Sequence, residues 1–125
     1  VLHALTVGFR HLDTAISYGN AACLGTAVAE SGLDRADIFV VTKLHPDEEH
    51  AWETQLQEHL AELQTTYVDA LILHFPGPSE DATLAAWRFL ERCLREGRAR
   101  ALGVSNFRVA QLRDLWDRAA HQPSF

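Results

Sequence analysis

The segment Gly8-Phe-Arg-His-Leu-Asp-Thr-Ala-Ile-Ser-Tyr-Gly-Asn20 decides the predicted fold class of this chain. Gly8 is suited to end a preceding helix, and the run Phe9 to Ala15 is short and apolar enough to form a β-strand. An acid, Asp13, and a phenol, Tyr18, stand where that strand should end. The segment therefore predicts a strand whose carboxyl end carries side chains capable of chemistry.

Three later segments repeat this arrangement of a strand-like run followed by polar side chains. They are Ile38 to Thr42 before Lys43, Val68 to Leu73 before His74, and Arg100 to Val104 before Ser105 and Asn106. The first of them is a continuous β-branched and aromatic run, which is typical of a strand covered on both faces of a parallel sheet. Because the carboxyl ends of parallel strands meet at one edge, we expect these polar groups to converge there.

Helical patterns fill the intervals between the strands. We predict the end of a helix near Val1 to Leu5, and a second helix that runs from its cap Asn20 to Ser31 and is ended by Gly32. A third helix should follow Pro46 and hold Asp47, Glu48 and Glu49 in its first turn. A fourth should run from its cap Ser79 to Glu96 and be ended by Gly97, and a last helix should be capped by Ser105 and Asn106. The apolar stripes are Trp52, Leu56, Leu60 and Leu63, then Leu84, Trp87, Leu90 and Leu94, then Val109, Leu112, Trp116 and Ala119. Core packing is the expected role of all three tryptophans.

Strand and helix alternate throughout, which predicts an α/β fold of right-handed βαβ units around a parallel sheet. Four βα units are half of a (β/α)8 TIM barrel, which typically needs about 250 residues. We therefore expect residues 1–125 to form one partial barrel domain.

Composition excludes several classes of protein. The formal net charge of −6 disfavours a broad nucleic-acid or anionic-membrane surface, and no apolar run is long enough to cross a bilayer. Cys23 and Cys93 predict neither a disulfide scaffold nor a metal site, so a reduced, cytoplasmic setting is expected. The amino terminus has no signal-peptide pattern. Because the chain begins with Val1 and contains no methionine, we expect a piece of a longer protein or a processed form.

Several short motifs occur in a fixed order along the chain: Gly8 to Ala15 with Tyr18-Gly-Asn20, Val41-Thr-Lys43, Tyr67 to Pro76, and Gly103-Val-Ser-Asn-Phe107. Together they resemble the signature segments of the aldo-keto reductase family over nearly the whole chain. The resemblance implies a (β/α)8 barrel that uses NADPH without a Rossmann domain. It also implies that this sequence starts within the first barrel helix and stops after the fifth.

The same resemblance implies residue roles. The family's catalytic tetrad falls on Asp13, Tyr18, Lys43 and His74, and the residues expected to bind the cofactor are Ser105 and Asn106, at the nicotinamide carboxamide, together with Asp13. Two positions depart from the family pattern: Ala21 replaces a common acid, and Phe75 stands where tryptophan is frequent. Nothing in the chain resembles the family's late strands or its basic segment for the adenosine phosphate. We therefore expect the isolated chain to be inactive.

These residue types suit the reduction of a carbonyl. Hydride addition creates charge on the carbonyl oxygen, so a proton donor must stand beside it. Lys43 would favour the ionised form of the Tyr18 phenol, and Asp13 would hold Lys43 charged and oriented. His74 would donate to the substrate oxygen, while the cofactor carries the hydride. The predicted function is NADPH-dependent reduction of a small aldehyde or ketone to an alcohol.

Each of these residues could instead have an ordinary structural role. Asp13 could satisfy backbone groups, Tyr18 could pack, Lys43 could be solvated, His74 could be a core imidazole, and Ser105 with Asn106 could simply cap a helix. His45 could line the pocket; His11, His50 and His59 carry less weight and show no metal spacing.

Two alternative functions stay open as well. One is a non-catalytic, truncated or regulatory homologue that acts as a binding module. The other is an aldolase that uses Lys43 as a Schiff-base amine. The substrate and the oligomeric state are not predicted.

Overall fold

Strands and helices alternate along the chain in the computed structural model, which describes residues 1–47 and 49–125. The elements are α1 (Leu2–Thr6), β1 (His11–Asp13), α2 (Ala21–Glu30), β2 (Phe39–Leu44), α3 (Trp52–Glu62), β3 (Val68–Leu73), α4 (Glu80–Arg95), β4 (Ala99–Val104) and α5 (Val109–Arg118). Short 3-10 turns occupy Ile16–Tyr18, Arg35–Asp37 and Glu49–Ala51. No helix in these two described ranges is long and apolar enough to cross a membrane.

The four strands form one sheet in the order β1-β2-β3-β4, and every pairing is parallel. Asp13 lies opposite Val41, and Lys43 lies opposite Ile72, so the carboxyl ends of neighbouring strands are in register. This confirms the predicted α/β class. Beyond β4, the backbone N–H of Ser124 donates to the carbonyl of Leu102 at 2.8 Å, which continues the pairing along the outer edge of that strand.

The hydrophobic core lies between the sheet and the helices. Leu56 of α3, Leu71 of β3 and Trp87 of α4 are completely buried there. Burial of an aliphatic or aromatic side chain of this size contributes roughly 1.5–3 kcal/mol to stability. Trp52 is buried as well, so the stripes predicted for the third and fourth helices are confirmed.

The stripe predicted for the last helix is only partly buried. Leu112 and Ala119 are half-buried, whereas Trp116 is 50% exposed and Val109 is 66% exposed. The buried residue of α5 is Leu115, which lies outside the predicted stripe. The prediction of a core role for Trp116 is therefore wrong for the chain in this structure. The physical reason is that α5 packs mainly on α4, while its side with Val109 and Trp116 is exposed.

Several predicted boundaries also differ from those observed. β1 covers His11–Asp13 and not Phe9 to Ala15, because it pairs with β2 alone and the chain turns into a 3-10 helix at Ile16. α5 begins after Arg108 and not after Ser105 and Asn106, whose polar groups are bound to the neighbouring strand end.

Two predicted helix starts need correction as well. α3 begins at Trp52, after a 3-10 turn, so Asp47 and Glu49 precede its first turn, and Glu48 lies outside the described residues. Asn20 stands at the start of α2, as predicted, but its side chain accepts a hydrogen bond from Thr14 and does not cap the helix. By contrast, the Ser79 side chain accepts from the Ala82 N–H, so this predicted cap is confirmed.

One buried polar pair behind β2 was not predicted. His59 of α3 is 4% exposed, and its Nε2 lies 2.7 Å from Oγ1 of the fully buried Thr42. Burial lowers the pKa of His59 from 6.5 to about 4, because the charged imidazolium loses its hydration. The imidazole is therefore neutral in the folded chain at neutral pH.

This burial predicts an acid-sensitive contribution to stability. Since folded His59 has a pKa of about 4 and unfolded histidine one near 6.5, the contribution is complete above pH 6.5 and is lost as the pH falls towards 4. Its size is about 3 kcal/mol. Urea unfolding followed by tryptophan fluorescence between pH 7 and 4 measures it. In a His59→Gln variant, the decrease in the free energy of unfolding between pH 7 and 4 should be smaller by a comparable amount. An unchanged pH dependence of the free energy of unfolding would contradict the prediction.

Candidate active site

A buried cation lies at the carboxyl end of β2. Lys43 is only 9% exposed, and its Nζ forms an ion pair with Oδ1 of Asp13 at the end of β1. The same Nζ donates to the backbone carbonyl of Thr14 at 3.0 Å. An ammonium taken out of water needs such partners, because its desolvation is otherwise strongly unfavourable. The amine of Lys43 is therefore fixed between two acceptors on the neighbouring strand.

Thr14 was not among the predicted site residues, although it directly follows Asp13. Its hydroxyl donates to Oδ1 of Asn20 at 2.6 Å, and its N–H donates to the carbonyl of Val41 at 2.9 Å. These bonds hold the carbonyl that accepts from Lys43. A side-chain pattern could not have shown this role, because the group involved belongs to the backbone.

Tyr18 stands beside this cation on the 3-10 turn Ile16–Tyr18. Gly19 follows with a φ of 61°, a conformation that glycine adopts without strain, and the chain then enters α2. Nζ of Lys43 lies 5.0 Å from the centre of the Tyr18 ring, within the range of a cation–π contact. The tyrosine is half exposed, and its hydroxyl makes no hydrogen bond to any residue that the structure describes, so the phenol is open to a ligand.

His74 completes the cluster from the end of β3. Its ring meets the Tyr18 ring edge-on, with the ring centres 5.8 Å apart, and its backbone N–H donates to the Leu44 carbonyl at 2.8 Å. The residue is 8% exposed, and Nδ1 has no hydrogen-bond partner among the described residues. Burial lowers the pKa of His74, the positive charge of Lys43 lowers it further, a proton on the neighbouring His45 would act in the same direction, and Asp13 opposes them. The imidazole is therefore neutral at neutral pH.

Ser105 and Asn106 follow β4 at the same edge of the sheet. The Ser105 N–H donates to the Leu73 carbonyl at 2.9 Å, and Asn106 has a φ of 64°, which asparagine tolerates better than most residues. Nδ2 of Asn106 donates to the His74 carbonyl at 2.8 Å and to the Ser105 hydroxyl at 3.0 Å. The Asn106 amide oxygen and the Ser105 hydroxyl proton are left for a ligand, which fits a carboxamide that needs both an acceptor and a donor.

Two further aromatic rings surround His74. Phe75 stacks on it with a centre-to-centre distance of 4.6 Å, and the His45 ring lies 6.5 Å from His74 and 5.4 Å from Phe75. His45 thus lies beside the cluster, next to the end of β2. Within residues 1–47 and 49–125, no group of three or more His, Cys, Asp or Glu side chains is placed to hold a metal ion.

The structure thus brings the residues predicted from four strand ends to one edge of the sheet. The Tyr18 phenol ring lies beside both the ammonium, which is paired with its carboxylate, and the neutral imidazole, and a serine–asparagine pair adjoins the imidazole. Such a set can supply a proton and a hydrogen bond to an oxygen on which charge develops. Charge of this kind develops on the oxygen of a carbonyl group that accepts a hydride.

Comparison with known proteins agrees with this geometry. The sequence profile of the Aldo/keto reductase family matches residues 1–125. Methylglyoxal reductase DkgA of Yersinia pestis is 36% identical over 124 residues, which cover 99% of this chain and 45% of that protein. Morphine 6-dehydrogenase of Pseudomonas putida is 42% identical over 118 residues, 92% of this chain and 40% of that protein. The chain therefore spans less than half the length of these relatives.

Solved structures show the same architecture. The aldo/keto reductase from Brucella melitensis matches with a TM-score of 0.91 and 39% identity, covering 98% of this chain and 48% of that one. The aldo-keto reductase of Bombyx mori, solved in complex with NADP, matches with a TM-score of 0.88 and 32% identity, covering 98% of this chain and 44% of that one. The predicted partial barrel is confirmed, since the four βα units superpose on about half of each structure. Because the family profile matches the chain along its whole length, the chain belongs to the aldo/keto reductase family.

Proposed function

We propose that the protein containing this chain is an NADPH-dependent oxidoreductase of the cytoplasm that reduces a small aldehyde or ketone to an alcohol. Residues 1–125 are then part of one (β/α)8 barrel domain. The observation that carries the proposal is the meeting of Tyr18, Lys43 and His74 at one edge of the sheet, with Asp13 paired to the lysine.

In this proposal each tetrad residue has one task. Tyr18 gives its phenolic proton to the carbonyl oxygen as charge develops there. The ammonium of Lys43, 5.0 Å from the ring centre, stabilises the phenolate that remains, and Asp13 keeps that ammonium in place. Neutral His74 directs the carbonyl through a hydrogen bond to its oxygen. Tyr18 is half exposed and its hydroxyl has no partner among the described residues, which supports its role as the donor.

The proposed cofactor site begins with Ser105 and Asn106, which would hold the nicotinamide carboxamide, and includes Asp13. The amide oxygen and hydroxyl proton left over by their internal hydrogen bonds support this assignment. NADPH, when bound, supplies the hydride. The relative from Bombyx mori was solved with NADP, which supports the choice of cofactor.

The substrate class rests on the same chemistry and on the names of the relatives. Methylglyoxal reductase and morphine 6-dehydrogenase share a carbonyl or alcohol as the reacting group, whereas the rest of their substrates differ. We therefore propose only a small carbonyl compound. The ion pair with Asp13 stabilises the protonated form of Lys43, which has no lone pair, and this disfavours Lys43 as a Schiff-base nucleophile.

The first test removes the phenol. In the longest protein that carries this sequence, Tyr18→Phe should lower kcat/KM for an aldehyde at least a hundredfold, because the proton donor is lost. The matched control is Tyr67→Phe, since the other tyrosine lies between Arg35 and Arg100 at the opposite end of the sheet. This control should stay within about twofold of the wild type. Unchanged reduction in Tyr18→Phe, or borohydride trapping of substrate on Lys43, would refute the proposal.

The second test concerns the protonation of His74. Because its pKa lies below 6.5, the imidazole is already neutral above that pH and gains a proton only below it. His74→Gln should therefore lower kcat/KM about a hundredfold, but kcat/KM should depend on pH in the same way as in the wild type between pH 6.5 and 8.5. The pH profiles of the variant and the wild type should diverge only at lower pH. An inflection above pH 7 that disappears in His74→Gln would show that the histidine acts in its charged form.

The third test uses the 125-residue chain alone. We expect no turnover and weak or absent binding of NADPH, because no segment of this chain resembles the family's basic segment for the adenosine phosphate. Fluorescence titration with NADPH, with the longer protein as the reference, measures the difference. Micromolar affinity with turnover by the isolated chain contradicts this expectation. A discrete oligomer without reductase activity in either form would favour the alternative of a binding module.

A further inference from the structure

His45 is a polar side chain at the rim of the candidate site to which the tetrad gives no task. It follows the last residue of β2, two positions after Lys43, and its ring lies 5.4 Å from Phe75 and 6.5 Å from His74. Its side chain keeps 43% of its surface exposed. It therefore lies where the part of a substrate next to the reacting carbonyl would pass.

The backbone of His45 is fixed from the helix layer. Nε1 of Trp52, a residue 4% exposed at the start of α3, donates to the His45 carbonyl at 3.1 Å. Pro46, which follows, is buried. Because a buried indole and a buried proline hold this turn, the His45 ring is presented from a rigid support, as a specificity-determining group requires.

One ring nitrogen of His45 already has a partner. Nδ1 lies 3.4 Å from Oδ2 of Asp47. This contact engages the Nδ1 side of the ring, and Nε2 makes no hydrogen bond to any described residue. An imidazole Nε2 can hydrogen-bond a hydroxyl group in either protonation state, because a hydroxyl both donates and accepts. Nε2 is therefore able to bind a ligand that carries an O–H group.

We propose that His45 is a specificity-determining residue that forms a hydrogen bond with a hydroxyl group of the carbonyl substrate, and so favours hydroxylated over unsubstituted aldehydes. The inference rests on the proposed function and adds to it a feature of the substrate. An apolar substrate would leave Nε2 desolvated without a partner, and such a mismatch lowers the affinity for that substrate.

The experiment compares two aldehydes of three carbons, glyceraldehyde and propanal, in the longest protein that carries this sequence. The ratio of their kcat/KM values is the readout. His45→Phe should lower this ratio about tenfold, because an aromatic ring is kept and the polar nitrogen is lost. His45→Gln should retain most of the ratio, since its amide group can hydrogen-bond the same hydroxyl. His50→Phe, at an exposed histidine on the 3-10 turn before α3, is the matched control and should leave the ratio unchanged.

The outcomes separate this inference from the proposed function. If propanal reduction persists in His45→Phe and the ratio does not change, His45 does not bind a hydroxyl group and the inference is wrong. An equal loss on both aldehydes also overturns it, because the histidine then serves catalysis or folding. If the wild type reduces neither aldehyde nor any other small carbonyl compound, the proposed function itself fails, and this inference with it.

Discussion

The buried ammonium of Lys43 is the constraint on which the site depends. A charge that is 9% exposed persists only if acceptors surround it, and both acceptors here, the Asp13 carboxylate and the Thr14 carbonyl, come from the adjacent strand. Parallel pairing of β1 with β2 brings the two strand ends together. Removal of Asp13 would therefore do more than remove one charge, because the lysine would lose its fixed position beside the Tyr18 ring.

The sequence allowed the sheet and the membership of the site to be predicted for a physical reason. In a parallel sheet, the side chains that follow each strand share an edge, so strand ends found from hydrophobic runs also indicate which polar residues meet. Lys43 and His74 follow such runs directly, and both lie at that edge in the structure. The order of the motifs further limited the fold to the barrel of one family.

What could not be predicted depended on tertiary contacts. Ser105 and Asn106 look like a helix cap, yet their polar groups bind Leu73 and His74 across the sheet, and the helix begins later. The partnership of His59 with Thr42 joins residues on different elements, and the pattern of neither element reveals it. Trp116 fits a helical stripe, but whether a stripe is buried depends on the neighbour that covers it.

The order of the strands has a consequence for the way the site is assembled during synthesis. Each strand pairs with the next one along the chain, roughly 30 residues later, and closing such a loop costs about 3 kcal/mol. The sheet can therefore grow by one unit at a time as the polypeptide leaves the ribosome. In that sequence of events Lys43 meets Asp13 first, His74 joins when the third strand docks, and Asn106 closes onto it last.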